Sequence, residues 1–134
     1  MDGLVVVDSD VLIDFLRGRD PGASEVIVWL EADQLRLTAI TAFEVRLGAD
    51  FLGRGEQIRS LLSHRTLPLD VLGALIAGEI FRELAAEGRG IGLRDALIAG
   101  ICRRFDLPLA TRNRKHFERV QDLRLMAGPT AYDE

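Results

Sequence analysis

The sequence predicts an α/β fold, a parallel sheet of about five strands covered by helices on both faces. Two observations carry this. Short apolar runs recur along the chain, and each is followed by a longer segment with apolar residues at helical spacing. Strands separated by helices call for right-handed crossovers, and those place the strands parallel with helices on either side. A chain of 134 residues, 48% of them hydrophobic, can bury a core without disulfides, so residues 1–134 are expected to form one domain.

The elements follow in order. Leu4-Val5-Val6-Val7 is a β-branched run ending at Asp8 and reads as a buried parallel strand. Ser9 or Asp10 can cap a helix over Val11–Arg17, which Gly18 can end. Ala23–Ala32 reads as a second helix, with Val26, Ile27, Trp29 and Leu30 available to the core. Leu35–Ile40 reads as a second strand, after which Thr41 can cap a third helix carrying Phe43, Val45, Leu47 and Phe51. Ile58–Ser63 is expected to be helical and Thr66–Asp70 a short strand. Val71–Ala86 is a long helix stopped by Gly88 and Gly90, and Arg94–Phe105 is another. Leu107–Thr111 is the fourth strand and Leu123–Met126 the fifth. Ala-Leu-Ile-Ala-Gly occurs at 74–78 and again at 96–100, small-residue spacing that lets helices approach closely.

Composition excludes several function classes. A net charge of −4 argues against a protein that coats nucleic acid through bulk positive charge. Of 17 basic residues only Lys115 is lysine; arginine suits phosphate forks, although genome composition gives the same bias. Cys102 is the single cysteine, which points to a reducing, cytoplasmic setting. The N-terminus lacks the basic and apolar regions of a signal peptide, and the longest apolar stretch, Val71–Gly78, is far short of a membrane span.

In an open parallel sheet, ligands bind beyond the carboxyl ends of the strands. Asp8 closes the first strand, Glu44 lies just after the second, and Asp95 opens the helix before the fourth. If those strands are neighbours, the carboxylates converge, and Mg²⁺ or Mn²⁺ between them makes their ionised forms tolerable. Such a cation can activate water and neutralise a phosphodiester. Each acid also has a structural reading: Asp8 as a helix cap, Glu44 as the partner of Thr41 in a capping box, Asp95 as an acid favoured at a helix N-terminus. After the fourth strand, Arg112, Arg114 and Lys115 could hold RNA phosphates or form a solvated turn. His116 could act as a base or be a surface group.

Asp8-Ser9-Asp10 resembles the opening motif of haloacid-dehalogenase-type phosphatases, with Asp8 as the nucleophile of a phosphotransferase. That reading wants a later lysine followed by an acidic pair at a strand end, and none follows Lys115. A receiver domain fits no better, since its phosphoacceptor lies mid-chain.

Four segments together resemble PIN-domain ribonucleases. They are Leu4 to Gly18 around Asp8, Ile40 to Gly48 around Glu44, Leu93 to Gly100 around Asp95, and Leu109 to Phe117 around Asn113. Their order, spacing and total length are similar to those of VapC toxins from toxin–antitoxin modules. The resemblance implies a three-layer α/β/α PIN-like domain and Mg²⁺- or Mn²⁺-dependent RNA cleavage. It also implies a homodimer and inhibition by a VapB-type antitoxin. It carries metal-site roles onto Asp8, Glu44 and Asp95. Asn113 stands where many PIN domains have a fourth acid, so a neutral oxygen replaces a charge there, and Asp10 is an auxiliary candidate. Ser9 occupies the small hydroxyl position after the first Asp. Asn113 also keeps open a PIN-like module that binds RNA or protein without cutting. Trp29, Phe43, Phe51 and nearby aliphatics exceed what short amphipathic helices need for one core face, which leaves open a groove for an antitoxin helix, a dimer surface or ordinary core filling.

Overall fold

A computed structural model of the chain describes residues 3–127. In chain order the elements are β1 (Val5–Val7), α1 (Ser9–Leu16), α2 (Gly22–Glu31), β2 (Leu35–Thr38), α3 (Ala39–Leu47) and α4 (Asp50–Leu62). They continue with β3 (Thr66–Leu67), α5 (Val71–Ala86), α6 (Leu93–Phe105), β4 (Leu109–Ala110) and α7 (Arg114–Phe117). The four strands form a parallel sheet in the order β3-β2-β1-β4. The chain steps outward from β1 to β3 and then returns to lay β4 on the other side of β1. The sheet therefore changes winding direction between β1 and β4, where doubly wound sheets open a crevice at their carboxyl ends.

Alternation along β1 splits the core into two layers. Val5 and Val7 pack with Val11, Leu12 and Leu16 of α1, Val26 of α2, and Ile58 and Leu61 of α4. Val6 points the other way, onto Ile80 and Leu84 of α5, Ile98 and Cys102 of α6, and Phe117. Burial pushes the Cys102 thiol well above its ordinary pKa, with the Asp8 charge adding to the effect, so it is an inert core residue. α5 and α6 pack tightly at Gly100: a Cβ there would sit 2.7 Å from the Gly73 carbonyl oxygen and 2.6 Å from Ala77 Cβ. Its counterpart in the near-repeat, Gly78, has open space around it, so only one copy of the motif makes the close contact.

Four expectations need correction. Leu123–Met126 is not a fifth strand; Leu125 makes a single parallel bridge to Leu109. With only two residues in β4, little edge remains to pair with. Second, α3 starts two residues before Thr41. Thr38 is its cap, accepting from the Thr41 amide at 3.1 Å, so Ile40 is helical and not part of β2. Third, the Thr41–Glu44 capping box does not form. Thr41 is the third residue of the helix, and its amide is already held by Thr38. Likewise α1 begins at Ser9, with Asp8 as its cap.

Candidate active site

Asp8 stands where β1 becomes α1. Its Oδ1 accepts from the Ser9 amide at 2.8 Å and its Oδ2 from Thr111 Oγ1 at 2.7 Å. The side chain is only 1% exposed, so these bonds replace the water it has lost. Thr111 is itself tied in, accepting from the Asn113 amide at 3.0 Å. Ends of neighbouring strands β1 and β4 are thus joined through one hydroxyl.

Glu44 reaches the same place from the middle of α3, where its Oε1 accepts from Ser9 Oγ at 3.0 Å. Asp95, in the first turn of α6, sits 3.3 Å from Asn113 Nδ2 and 3.0 Å from His116 Nδ1. His116 Nδ1 is also 2.9 Å from Asn113 Nδ2, so this nitrogen either accepts from Asn113 or donates to Asp95. The Asn113 amide nitrogen, not its oxygen, faces Asp95.

Arg94, not among the residues expected at the site, is the centre of the cluster. Its Nε donates to Glu44 at 2.5 Å, its Nη2 to Asp8 at 2.5 Å, and its Nη1 to Asp95 at 2.7 Å. Nη2 also reaches Ser9 Oγ at 2.7 Å. Burial disfavours its charge, but hydrogen bonding to Glu44 and the Asp8 charge outweigh this and raise its pKa above the ordinary arginine value. One signal was available in the sequence: a cation in a first helical turn opposes the helix dipole and needs a compensating partner. Thr111, the strand-end hydroxyl, was likewise passed over.

Asp10 faces outward from the same corner. Its Oδ1 accepts from the Val11 amide at 2.7 Å and its Oδ2 from the Arg112 amide at 3.2 Å. Burial and then the Asp8 charge push its pKa up to about 6, a mark of how negative this corner is. Arg112 Nη1 lies 3.4 Å from Asp14, a buried acid one turn further along α1. Arg114 donates to the Met126 carbonyl at 2.6 Å and pairs with Glu118 at 3.8 Å. Lys115 is exposed on α7. The structure therefore draws Asp8, Ser9, Glu44, Asp95 and Asn113 together, and sets Arg112, Arg114 and Lys115 along one rim.

The donor set suits a hard divalent cation: three carboxylates with the Ser9 and Thr111 hydroxyls at the edge, and no thiolate. Among the described residues, no three acidic, imidazole or thiol side chains could hold a metal ion as they stand. Here a guanidinium fills the centre, and the three carboxylates bond its three nitrogens.

Known proteins share the sequence pattern and the fold of this chain. A family model described as PIN domain matches residues 5–123. Ribonuclease VapC10 of Mycobacterium tuberculosis is 33% identical over 121 residues, 90% of this chain and 91% of its own length. A tRNA(fMet)-specific endonuclease VapC of Shigella flexneri is 28% identical, covering 89% of this chain and 93% of the relative. DNA-bound VapBC from Salmonella typhimurium superposes with a TM-score of 0.76 at 25% identity, over 92% of this chain and 96% of that one. On the match to the family model and the near full-length identity to VapC10, this chain belongs to the PIN-domain family, among the VapC proteins.

Proposed function

We propose that this protein is an endoribonuclease, the toxin of a toxin–antitoxin pair, that cuts RNA phosphodiesters with Mg²⁺ or Mn²⁺ held by Asp8, Glu44 and Asp95. The observation that carries the reading is the meeting of these acids, from three separate elements, on one cation at the carboxyl end of the sheet. The names of the relatives support the RNA substrate, and the VapBC neighbours support an antitoxin partner.

When bound, the cation supplies charge neutralisation at the phosphate and makes water a better nucleophile. The chain does the rest. Asp8 is locked by Thr111 and the Ser9 amide and contributes a fixed oxygen. Ser9 donates to Glu44 and so orients the carboxylate of the pair that is more open to solvent, 29% exposed against 1% for Asp8. Glu44 is accordingly our candidate for accepting the proton of the attacking water. Water adds to phosphorus, and the ester oxygen departs with a proton from solvent. Asn113 and His116 steady Asp95. Lys115 and Arg112 lie on the rim to hold phosphates, Arg112 after leaving Asp14, and Arg114 stiffens that rim through Met126.

A partner helix has apolar surface available. Ile27 and Val28 of α2, Phe43 and Leu47 of α3 and Leu52 of α4 are exposed, whereas Trp29 and Phe51, also expected on such a surface, pack against the core. Leu72 and Leu75 of α5 offer a second face, to which we assign the homodimer. Among the described residues no helix is long and apolar enough to cross a membrane.

Cleavage of a structured RNA by wild type and Asp8→Asn, each with Mn²⁺ and with chelator, tests the reading. We expect Asp8→Asn to lose more than about a hundredfold in rate, beyond the usual cost of losing a supporting residue. Chelation should stop the wild type. Activity that survives either treatment refutes the mechanism, and binding of RNA without any cleavage favours the non-cutting module.

A further inference from the structure

Arg94 occupies the position that the proposed cation requires. Its three nitrogens each reach a different carboxylate, at 2.5 Å to Asp8, 2.5 Å to Glu44 and 2.7 Å to Asp95. We propose that Arg94 is a displaceable internal cation: it fills the carboxylate cluster when metal is absent and must leave for a divalent ion to enter. The proposal rests on the reading of Asp8, Glu44 and Asp95 as the metal-holding acids.

Charge sets the exchange. Three carboxylates around one guanidinium leave two negative charges uncompensated, and a divalent ion compensates one more than the guanidinium does. Both cations cannot bond the same oxygens at once, because like charges that close repel strongly even where solvent screens them. The cluster therefore selects one or the other.

The way out is open. Arg94 is 34% exposed, on a flexible stem in the first turn of α6. The dipole at that helix end already disfavours a cation, so the three acids and the Ser9 hydroxyl are what hold it there. Once released it stands at the mouth of the site, where its planar fork matches a phosphate. The same side chain would then first exclude metal and afterwards grip the RNA backbone. Occupation of the site by Arg94 also lowers apparent metal affinity, since ligand binds only the fraction of molecules in which the site is free.

Two measurements without RNA test this. Calorimetric titration with Mn²⁺ compares wild type, Arg94→Met and Asp8→Asn, with melting followed with and without the ion. Nitrogen-15 spectra of the arginine side chains follow wild type during a Mg²⁺ titration, with Arg94→Lys assigning the Arg94 Nε–H. If Arg94 fills the site about nine-tenths of the time, Arg94→Met should bind Mn²⁺ about tenfold more tightly. It should also melt below wild type without metal and regain that loss with it. The Arg94 Nε–H should move from its bonded position to that of a free arginine as Mg²⁺ saturates. Arg94→Met binding no tighter than wild type, or an Nε–H unmoved at saturation, overturns the displacement and leaves the metal reading standing. No Mn²⁺ binding by wild type and Arg94→Met alike overturns the metal reading, and this proposal falls with it. Should Arg94→Met fail to fold, the wild-type spectrum decides alone.

Discussion

The carboxyl-end cluster and the α5–α6 contact are both places where parts of the chain come very close, but for opposite reasons. At Gly100 the approach is apolar and leaves no room for a methyl group between α6 and the backbone of α5. Such packing gains dispersion and hydrophobic energy with nothing left unpaired. At Asp8, Glu44 and Asp95 the approach gathers like charges that a hydrogen-bond frame and one guanidinium hold in place. The first contact stabilises the fold and needs no chemistry. The second opposes folding in proportion to its density of negative charge, which is what a site for a cation requires. A substitution in one region should therefore act on stability, and in the other on turnover.

Thr111 offers the sharpest separation. Thr111→Val keeps the volume and removes the hydroxyl that donates to Asp8. We expect cleavage to fall about 10–100-fold, with more Mn²⁺ needed for half-maximal rate, and Thr111→Ser to restore both. A loss that Ser does not rescue, with a matching drop in melting temperature, would make Thr111 a packing residue. Gly100→Ala should do the reverse. The added methyl forces α5 and α6 apart and costs about 1–3 kcal/mol, read as a lower denaturant midpoint. The folded fraction should cleave RNA at the wild-type rate, and a specific loss of activity would break the contrast.

Smallest is Glu25→Gln on α2. Burial raises the Glu25 carboxyl above its ordinary 4.5, and among the described residues Oε1 has no hydrogen-bond partner. Its stabilising contribution is thus complete below 4.5 and lost as pH rises through the raised value. Gln does not titrate, so the variant should be more stable at neutral pH by less than about 0.5 kcal/mol, an advantage absent in acid. Unfolding curves at both pH values would show it, and a pH-independent difference would count against burial as the cause.

Much of the fold was legible because its signals are local. The Val5–Val7 run, the glycine after α1 and the apolar spacing of α5 and α6 each specify their own element. Boundaries set by tertiary competition were not. Thr38 and Thr41 are both capable caps, and only the end of β2 decides between them. The short edge strands depend on what lies beside them, so Leu123–Met126 looked like a strand without a partner long enough to make it one. The acids could be named from their places after the strands. Arg94 could not, because its meaning lies in contacts 50 and 86 residues away along the chain. Asp14 was missed for the same reason: nothing local says that Arg112 reaches it.

At Thr38 the last residue of β2 is also the cap of α3, so no slack separates sheet from helix. Glu44 is thereby aimed like a pointer fixed to its dial. Inserting a single residue between Thr38 and Glu44 would turn the carboxylate by about 100° around the helix axis, away from Ser9 and Arg94. A residue added in a surface turn would leave that aim intact, whereas one added at this junction would destroy it.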